Sequence, residues 1–583
     1  MFAVGMFCLF FRAADSYIGW SSHEKIAGSM VHSDGSGYYA YLPEWFIYQQ
    51  QGFEFAPIIE KKYPKERFVE DIGWNAKRKL GDKFYPGTAV VLSPFFLAGH
   101  LHAKIAEQPQ DGYSWPYLFW LTIATAFYGA VGLLGLLLVG YKMGFSPFAV
   151  WTATLLIGVG TNYYFYSSGE IPMSHIFSFC GNAWAIYSLL NWKETNHPKW
   201  KILFLALVGL AVIVRPLNAL ILVLVPFLFD SFPLFRQRVV KAFRNELRST
   251  LTGIAVFLLT IGIQVYNVWQ QLGRFGLNLY TKEGFDNWQD PYFWHSLFGF
   301  EKGMFVYSPA LLLFIPGIIV GWTYRRYLTA GILLFFVLTV YASSSWWCWG
   351  YGGAFGLRAL IDFYGMYALA IMMLLSRLKT SGRVLVLIPI VITVYLYQVF
   401  DYQFRQGTIY FDQMNYNKFR SVFLKTDERF NYIFARRLDT LGGDFRVKGH
   451  INGMTHPLFH TPIKEFDFNN DLAWAQPFVT LRKIDFSGLQ GNFGYRMQTE
   501  VWLGGTNSYV SMATKGYCKG AEVFAFDNPY SQLPGKVKEW DKISLDVNTR
   551  YPVSELDSVV CVFSAAATPS RIRKSVIYWG IAR

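Results

Sequence analysis

The sequence predicts a polytopic α-helical membrane protein of about eleven transmembrane helices, followed by an all-β, sandwich-like domain outside the cytoplasm. Three observations predict it. The 583 residues are 53% hydrophobic and 19% aromatic but only 16% charged, more apolar surface than a soluble chain of this size needs, so the excess faces lipid. Apolar runs of span length recur from Trp115 to Phe400 and stop there. Beyond that point the pattern shortens to alternating runs separated by Gly, Asn, Asp and Pro turns, the signature of strands.

The runs read as Trp115 to Gly140, Pro147 to Tyr166, Met173 to Trp192, Ile202 to Val214, Leu217 to Phe229, Leu251 to Trp269, Met304 to Trp322, Tyr327 to Ala342, Ala359 to Leu375 and Val384 to Phe400. Met1 to Phe11 is apolar but about half the length of a span, without a basic flank or cleavage site. It reads as the end of a first span, truncated by a misassigned start. Alternate connections are basic: Lys142; Lys193, Lys199 and Lys201; Arg236, Arg238, Lys241, Arg244 and Arg248; Arg325 and Arg326; Arg377, Lys379 and Arg383. The positive-inside rule puts these in the cytoplasm, so the net charge of +14 reports orientation and not nucleic acid. The other connections fall outside: Asp15 to Ser114, Ser167 to Pro172, Arg215-Pro216, Gln270 to Gly303, Ser343 to Arg358, and everything after Asp401.

Residues 1–405 therefore form the membrane module, including the large outer loop 15–114, and 406–583 the extracytoplasmic β domain. That loop is long enough to fold against the membrane surface, and its segment Tyr85 to Ala106, broken by Pro86 and Pro94, predicts a short or surface-lying helix. A helix over Asn415 to Leu441, stopped by Gly442-Gly443, would link the two parts. The five cysteines lack metal-binding spacing, and Cys518 and Cys561 share the tail and could pair if it is extracytoplasmic.

Polar residues at the outer ends of spans are costly, and such positions are usually functional. Asp34, in His32 to Tyr39, reads either as a general base or as a turn-former in a Gly/Ser loop. Lys83 precedes the Tyr85-Pro86 bend and reads as a phosphate ligand or a snorkelling lysine. Glu170 and His175 flank Pro172, which puts His175 in the first turn of a span, as a functional group or as a histidine satisfying a backbone carbonyl. Arg215 sits between two apolar stretches, where an arginine needs an anion. Arg358 ends a Gly-rich aromatic loop that opens with Trp346-Trp347. One acid, several cations and aromatic faces on one side suit transfer of a sugar from a lipid phosphate. The acid activates the acceptor, the cations Lys83, Arg215 and Arg358 take the phosphate, and aromatics such as Tyr38, Tyr39, Tyr85, Trp346 and Trp347 hold sugar or lipid.

These motifs resemble the GT-C glycosyltransferase superfamily, in particular its protein O-mannosyltransferase and aminoarabinose-transferase-like branch (glycosyltransferase family 39-like). The resemblance covers roughly Met1 to Phe400 and rests on His32 to Tyr39, Lys83 to Pro86, Ser174-His175, Arg215-Pro216, Gly303 to Pro309 and Gly352 to Arg358. It implies inverting transfer from a polyprenyl-phosphate sugar to a glycan, lipid or protein acceptor, with Asp34 as base and Lys83 on the donor phosphate, in a bacterial inner membrane. Gly35 stands where many relatives carry a second acid, which leaves open whether Glu170 takes part of that role. No cofactor is firmly implied. Metal need stays open in the resemblance, and metal-independent transfer is the expectation, since Lys and Arg can handle a monophosphate leaving group. The rival reading is a multi-span lipid or polysaccharide transporter or flippase, which would show paired repeats with broken helices near the midplane.

Overall fold

The computed structural model describes residues 1–18, 31–49, 52–63, 68–69, 72–74, 80–280, 283–411 and 414–426, and in the tail 462–466, 476–482, 492–503, 509–518, 521–530, 540–552, 556–566 and 570–582. They form two compact units, Met1–Gln398 and Val399–Arg583, so the long helix Thr380–Arg405 carries the boundary that the sequence set at 405.

In the first unit, five described helices are long and apolar enough to cross a bilayer: Trp115–Lys142, Leu247–Leu272, Arg326–Ser344, Arg358–Ser376 and Thr380–Arg405. The pair Pro216–Leu228 and Phe232–Asn245, bent by 108°, adds a sixth if it counts as one span. The other expected spans fall on shorter, interrupted or more polar helices. Phe2–Ile18 and Pro198–Val214 have 17 residues each, and Ser174–Thr195 carries His175, Asn182 and Asn191 on its buried faces.

Several expected spans are broken, and the breaks have local causes. The run from Pro147 divides into Pro147–Gly160 and Tyr163–Ser168, with Thr161 extended between them. The run from Met304 divides into Met304–Tyr307, a 3-10 turn Pro309–Leu313 and Phe314–Tyr324. Pro216 and Pro226 likewise open 3-10 turns at Pro216–Leu220 and Val225–Leu228, because a proline ring cannot continue the i to i−4 ladder. Backbone groups released inside an apolar unit need partners. Asn162 supplies several: its N–H donates to Ser308 Oγ at 3.0 Å, its Nδ2 to the Phe355 carbonyl at 3.0 Å, and its Oδ1 accepts from Tyr364 Oη at 2.8 Å. One buried residue, through its backbone N–H and its side chain, thus ties three segments together.

The first outer loop folds into helices Asp34–Pro43, Ala56–Lys62 and Gly87–Ile105 and the antiparallel hairpin of β1 (Ile72–Trp74) and β2 (Leu80–Asp82). Tyr41, Phe53, Phe55, Ile59, Phe96 and Tyr113 fill its core. The segment expected to be a short helix is a 19-residue one that contains Pro94 and packs on Trp115–Lys142.

In the second unit the expected helix over Asn415 to Leu441 is described only as Tyr416–Val422, and it stops there: Phe423 leaves helical geometry and Leu424 has φ +58°. Residues from 427 of that segment lie outside the described residues. The tail strands are β3 (Pro462–Phe466), β4 (Gln476–Arg482), β5 (Asn492–Leu503), β6 (Tyr509–Cys518), β7 (Ala521–Tyr530), β8 (Trp540–Pro552), β9 (Ser558–Ala566) and β10 (Ser570–Ala582). They pair antiparallel in two four-stranded sheets, ordered β3-β10-β5-β8 and β4-β9-β6-β7, the strand order of a jelly roll. The register also corrects an expectation. Cys561 lies opposite Thr514 and Ser558 opposite Tyr517, so Cys518 is offset by four strand positions from Cys561. At about 3.3 Å per residue that is about 13 Å, beyond the Cα separation a disulfide spans.

Candidate active site

A cavity of about 450 Å³ opens where several chain segments meet. Its lining comes from residues within Ser33 to Tyr38, Lys83 to Tyr85, Val214 to Leu217 and Trp346 to Arg358, together with Asn278, Tyr280 and Glu283 to Phe285. Each of those stretches belongs to, or borders, a connection that the charge pattern assigned to the outer side.

Asp34 begins the helix Asp34–Pro43, and Ser33 before it has φ +49° and ψ −143°, a conformation strained for a residue with a side chain. The strained residue sets the acid into the cavity wall at the positive end of a helix. Gly35 follows because a Cβ there would meet Pro172 Cδ at 3.1 Å. The helix therefore sits hard against the Glu170 to Pro172 turn, and a side chain at position 35 would require the proline ring to shift. Tyr38, one turn on, lines the cavity, and burial together with the neighbouring Asp34 carboxylate pushes its phenol up to about 12. It remains a hydrogen-bond donor at neutral pH.

Lys83 is aimed by the turn after β2. Asp82 Oδ1 accepts the Phe84 N–H at 2.8 Å, while Asp82 N–H donates to Gln271 Oε1 at 2.9 Å. Four residues later Gly87 lets the next helix touch backbone directly: a Cβ there would lie 2.3 Å from the Ile213 carbonyl carbon and the Val214 nitrogen. That contact sets the Lys83 turn beside Arg215, which follows Val214 at the end of Pro198–Val214.

All three predicted cations meet a carboxylate. Arg358 is ion-paired with Asp34. Lys83 Nζ lies 2.7 Å from Glu283 Oε1. Arg215 Nε lies 3.1 Å from Asp362 Oδ2, and the same carboxylate receives His175 Nδ1 at 2.8 Å. Asp362 is fully buried on the 3-10 turn Arg358–Phe363 that opens the next helix. Neither Asp362 nor Glu283 was singled out from the sequence. Asp362 had a signal, an acid inside the apolar run Ala359 to Leu375. Glu283, in a polar loop, had none.

The predicted residues thus separate. Asp34, Lys83, Arg215 and Arg358 share the cavity, with Tyr38, Tyr85, Trp346 and Trp347 around them. His175 does not line it but stands behind Arg215, across Asp362. Glu170 stays outside the lining as well, and burial raises its carboxyl above the usual range against the pull of His32 and Arg358. Tyr39 is a correction: the helix turns it away from Asp34 into the loop core, where its hydroxyl donates to the Gly112 carbonyl at 2.5 Å and its ring packs on Tyr113. Consecutive residues on a helix point about 100° apart, so Tyr38 and Tyr39 could not both face the cavity. Among the described residues, no group of three or more His, Cys, Asp or Glu side chains gathers as a metal site would require.

No family model matches the sequence, and no curated protein does. Among solved structures, the chain is similar to the cryo-EM structure of arabinosyltransferase EmbB from Mycobacterium smegmatis, with a TM-score of 0.33 and 11% identity over 99% of this chain. It spans 64% of the length of that protein. A likeness this distant carries no functional argument.

Proposed function

We propose that the chain is an integral membrane glycosyltransferase of GT-C type, moving a sugar with inversion from a polyprenyl-phosphate donor to a glycan, lipid or protein acceptor. The observation that carries the reading is the convergence of Asp34 and three cations, from four separate segments, on one cavity that Glu283 also lines. The donor phosphate draws Arg358 away from Asp34, with Lys83 and Arg215 beside it. The freed Asp34 carboxylate takes the proton of an acceptor hydroxyl as that oxygen attacks the anomeric carbon. The bond from that carbon to the phosphate oxygen breaks on the opposite face, and its electron pair leaves on the phosphate, where the cations stabilise it. Because the leaving group is already an anion, no general acid and no metal is required. The cavity end faces the outside of a bacterial inner membrane in this reading, with the basic connections in the cytoplasm.

The test is turnover of the purified full-length protein with a radiolabelled polyprenyl-phosphate hexose and a crude envelope acceptor, in EDTA. Transfer by wild type and a loss of about 10²- to 10⁴-fold in Asp34→Asn are expected. Undiminished transfer in Asp34→Asn removes the proposed base, and transfer that needs added divalent ions removes the metal-free mechanism. Absence of transfer from every lipid-linked sugar favours the transporter reading.

A further inference from the structure

A second pocket, of about 690 Å³, lies at the other end of the same helices. Arg326–Ser344 begins in its wall and ends two residues before Trp346 of the first cavity, and its 19 residues at 1.5 Å each separate the two by about 28 Å. Ser174–Thr195 makes the same connection, from Ser174, whose Oγ accepts from Arg215, to Lys193 and Glu194 in the pocket wall. The separation is close to the thickness of a bilayer's hydrocarbon core, about 30 Å.

The pocket holds four cations, Lys142, Lys193, Arg325 and Arg326, against two carboxylates, Glu194 and Asp230. The lysines use those acids: Lys142 pairs with Glu194, and Lys193 lies 3.3 Å from Asp230. Among the described residues, no carboxylate comes within 4 Å of either arginine. Arg325 is nonetheless held in place, donating from Nη2 to the Met143 carbonyl at 2.9 Å with its guanidinium 4.6 Å from the Phe145 ring centre. Arg326 donates from Nε to the Trp322 carbonyl at 3.1 Å. Each keeps further N–H groups for an anion.

Directly after Asp230 the chain turns through 108° into Phe232–Asn245. This helix carries Arg236, Arg238, Lys241 and Arg244 and no acid, and exposes Phe232, Leu234, Val240 and Phe243. A basic helix with exposed apolar side chains lies along a membrane surface, its apolar residues at the headgroup boundary. Its first residue is two positions from the pocket's Asp230, so that boundary runs beside the pocket.

We propose that this pocket binds the phosphate-bearing headgroup of an anionic membrane lipid, with Arg325 and Arg326 as its principal ligands and Phe232–Asn245 seated on the same leaflet. The test incubates the full-length protein with equal amounts of phosphatidylglycerol and phosphatidylcholine in detergent and reads retained lipid by native mass spectrometry. Phosphatidylglycerol is expected to be retained about tenfold over phosphatidylcholine, and the Arg325→Ala/Arg326→Ala variant to lose about tenfold of that retention. Arg383→Ala, a basic connection residue outside the pocket, keeps it. Equal retention of the two lipids, or wild-type retention by the double variant, overturns the proposal. Displacement of phosphatidylglycerol by millimolar inorganic phosphate also overturns it, by making a soluble phosphate compound the ligand. A melting curve follows the fold, and Arg326→Gln, at an exposed side chain, repeats the test if the double variant unfolds. Sugar transfer is not read, so the result is independent of the glycosyltransferase reading.

Discussion

The two ends of the membrane unit handle charge in opposite ways. At the cavity end Arg358, Lys83 and Arg215 each face a carboxylate, while at the pocket end two arginines face none among the described residues. Their backbones differ in step. The cavity end is built from broken helices, a strained Ser33 and positive φ at Tyr351 and Gly352, whereas the pocket gathers the ends of three long helices beside the bend after Leu228. The contrast teaches that an anion entering the cavity has to compete with internal carboxylates, whereas one entering the pocket meets a standing surplus of positive charge. Competition makes occupancy selective for a ligand bringing more than charge, which suits a substrate. A surplus suits a structural lipid.

The sharpest way to break this comparison is Asp362→Ala. It leaves Arg215 withdrawn from water with its counter-charge removed, and breaking such a buried pair costs about 3–5 kcal/mol. A strongly lowered melting temperature in detergent is expected, together with lost transfer. An unchanged melting temperature would mean that Arg215 is solvated, and the balance of charge at the cavity end would lose its meaning.

Glu44 sharpens the comparison from the other side, as a carboxylate at the cavity end that has no cation partner among the described residues. Burial raises it from the ordinary value of 4.5 to about 7, while its Oε1 accepts the N–H groups of Gly52 at 2.8 Å and Phe53 at 3.3 Å. The folded form therefore holds its proton more tightly than the unfolded one. The stabilisation is complete below pH 4.5 and is lost as pH rises through 7. Glu44→Gln keeps an oxygen for both N–H groups and removes the titration. It is expected to flatten stability between pH 5 and 8 and to gain up to about 3 kcal/mol at pH 8, read by melting across pH. Parallel wild-type and variant curves would refute it.

The smallest effect belongs to Glu283→Gln. Lys83 and Glu283 are both partly exposed, and such pairs are worth about 0.2–1 kcal/mol. Removing that carboxylate from Lys83 is expected to lower the donor KM by about two- to fivefold with kcat little changed. A raised KM would show that Glu283 positions Lys83 for the donor and does not compete for it.

What could be read from the sequence follows from the same physics. Asp34, Lys83, Arg215 and Arg358 were legible because a charge bordering an apolar run needs a reason to be there. Their convergence was legible only as a shared side. The pairing was not, since nothing local to Arg215 points to Asp362, and Glu283 lies among other polar residues in a long loop. Span positions and the turn at Arg215-Pro216 are readable from the sequence, but the interruptions at Thr161, Ser308 and Val225 are not, although Pro226 and Pro309 mark two of the segments concerned. Composition averages over the backbone, and the groups that rescue a broken helix, such as Asn162, come from elsewhere in the chain. Tyr39 is adjacent to Tyr38 in sequence but lies on another face of the helix, which adjacency alone does not reveal.

The ion pair between Asp34 and Arg358 joins residues 324 positions apart. A chain made from its N-terminus at about 5–20 residues per second exposes the acid roughly 16–65 s before its arginine exists. During that interval Lys83 and Arg215, the other two cations of the cavity, are made before the arginine that pairs with Asp34. The charge balance of the cavity is thus a late event in the life of each molecule, and truncation between residue 114 and Arg358 yields a protein whose first outer loop is present but whose acid lacks that arginine.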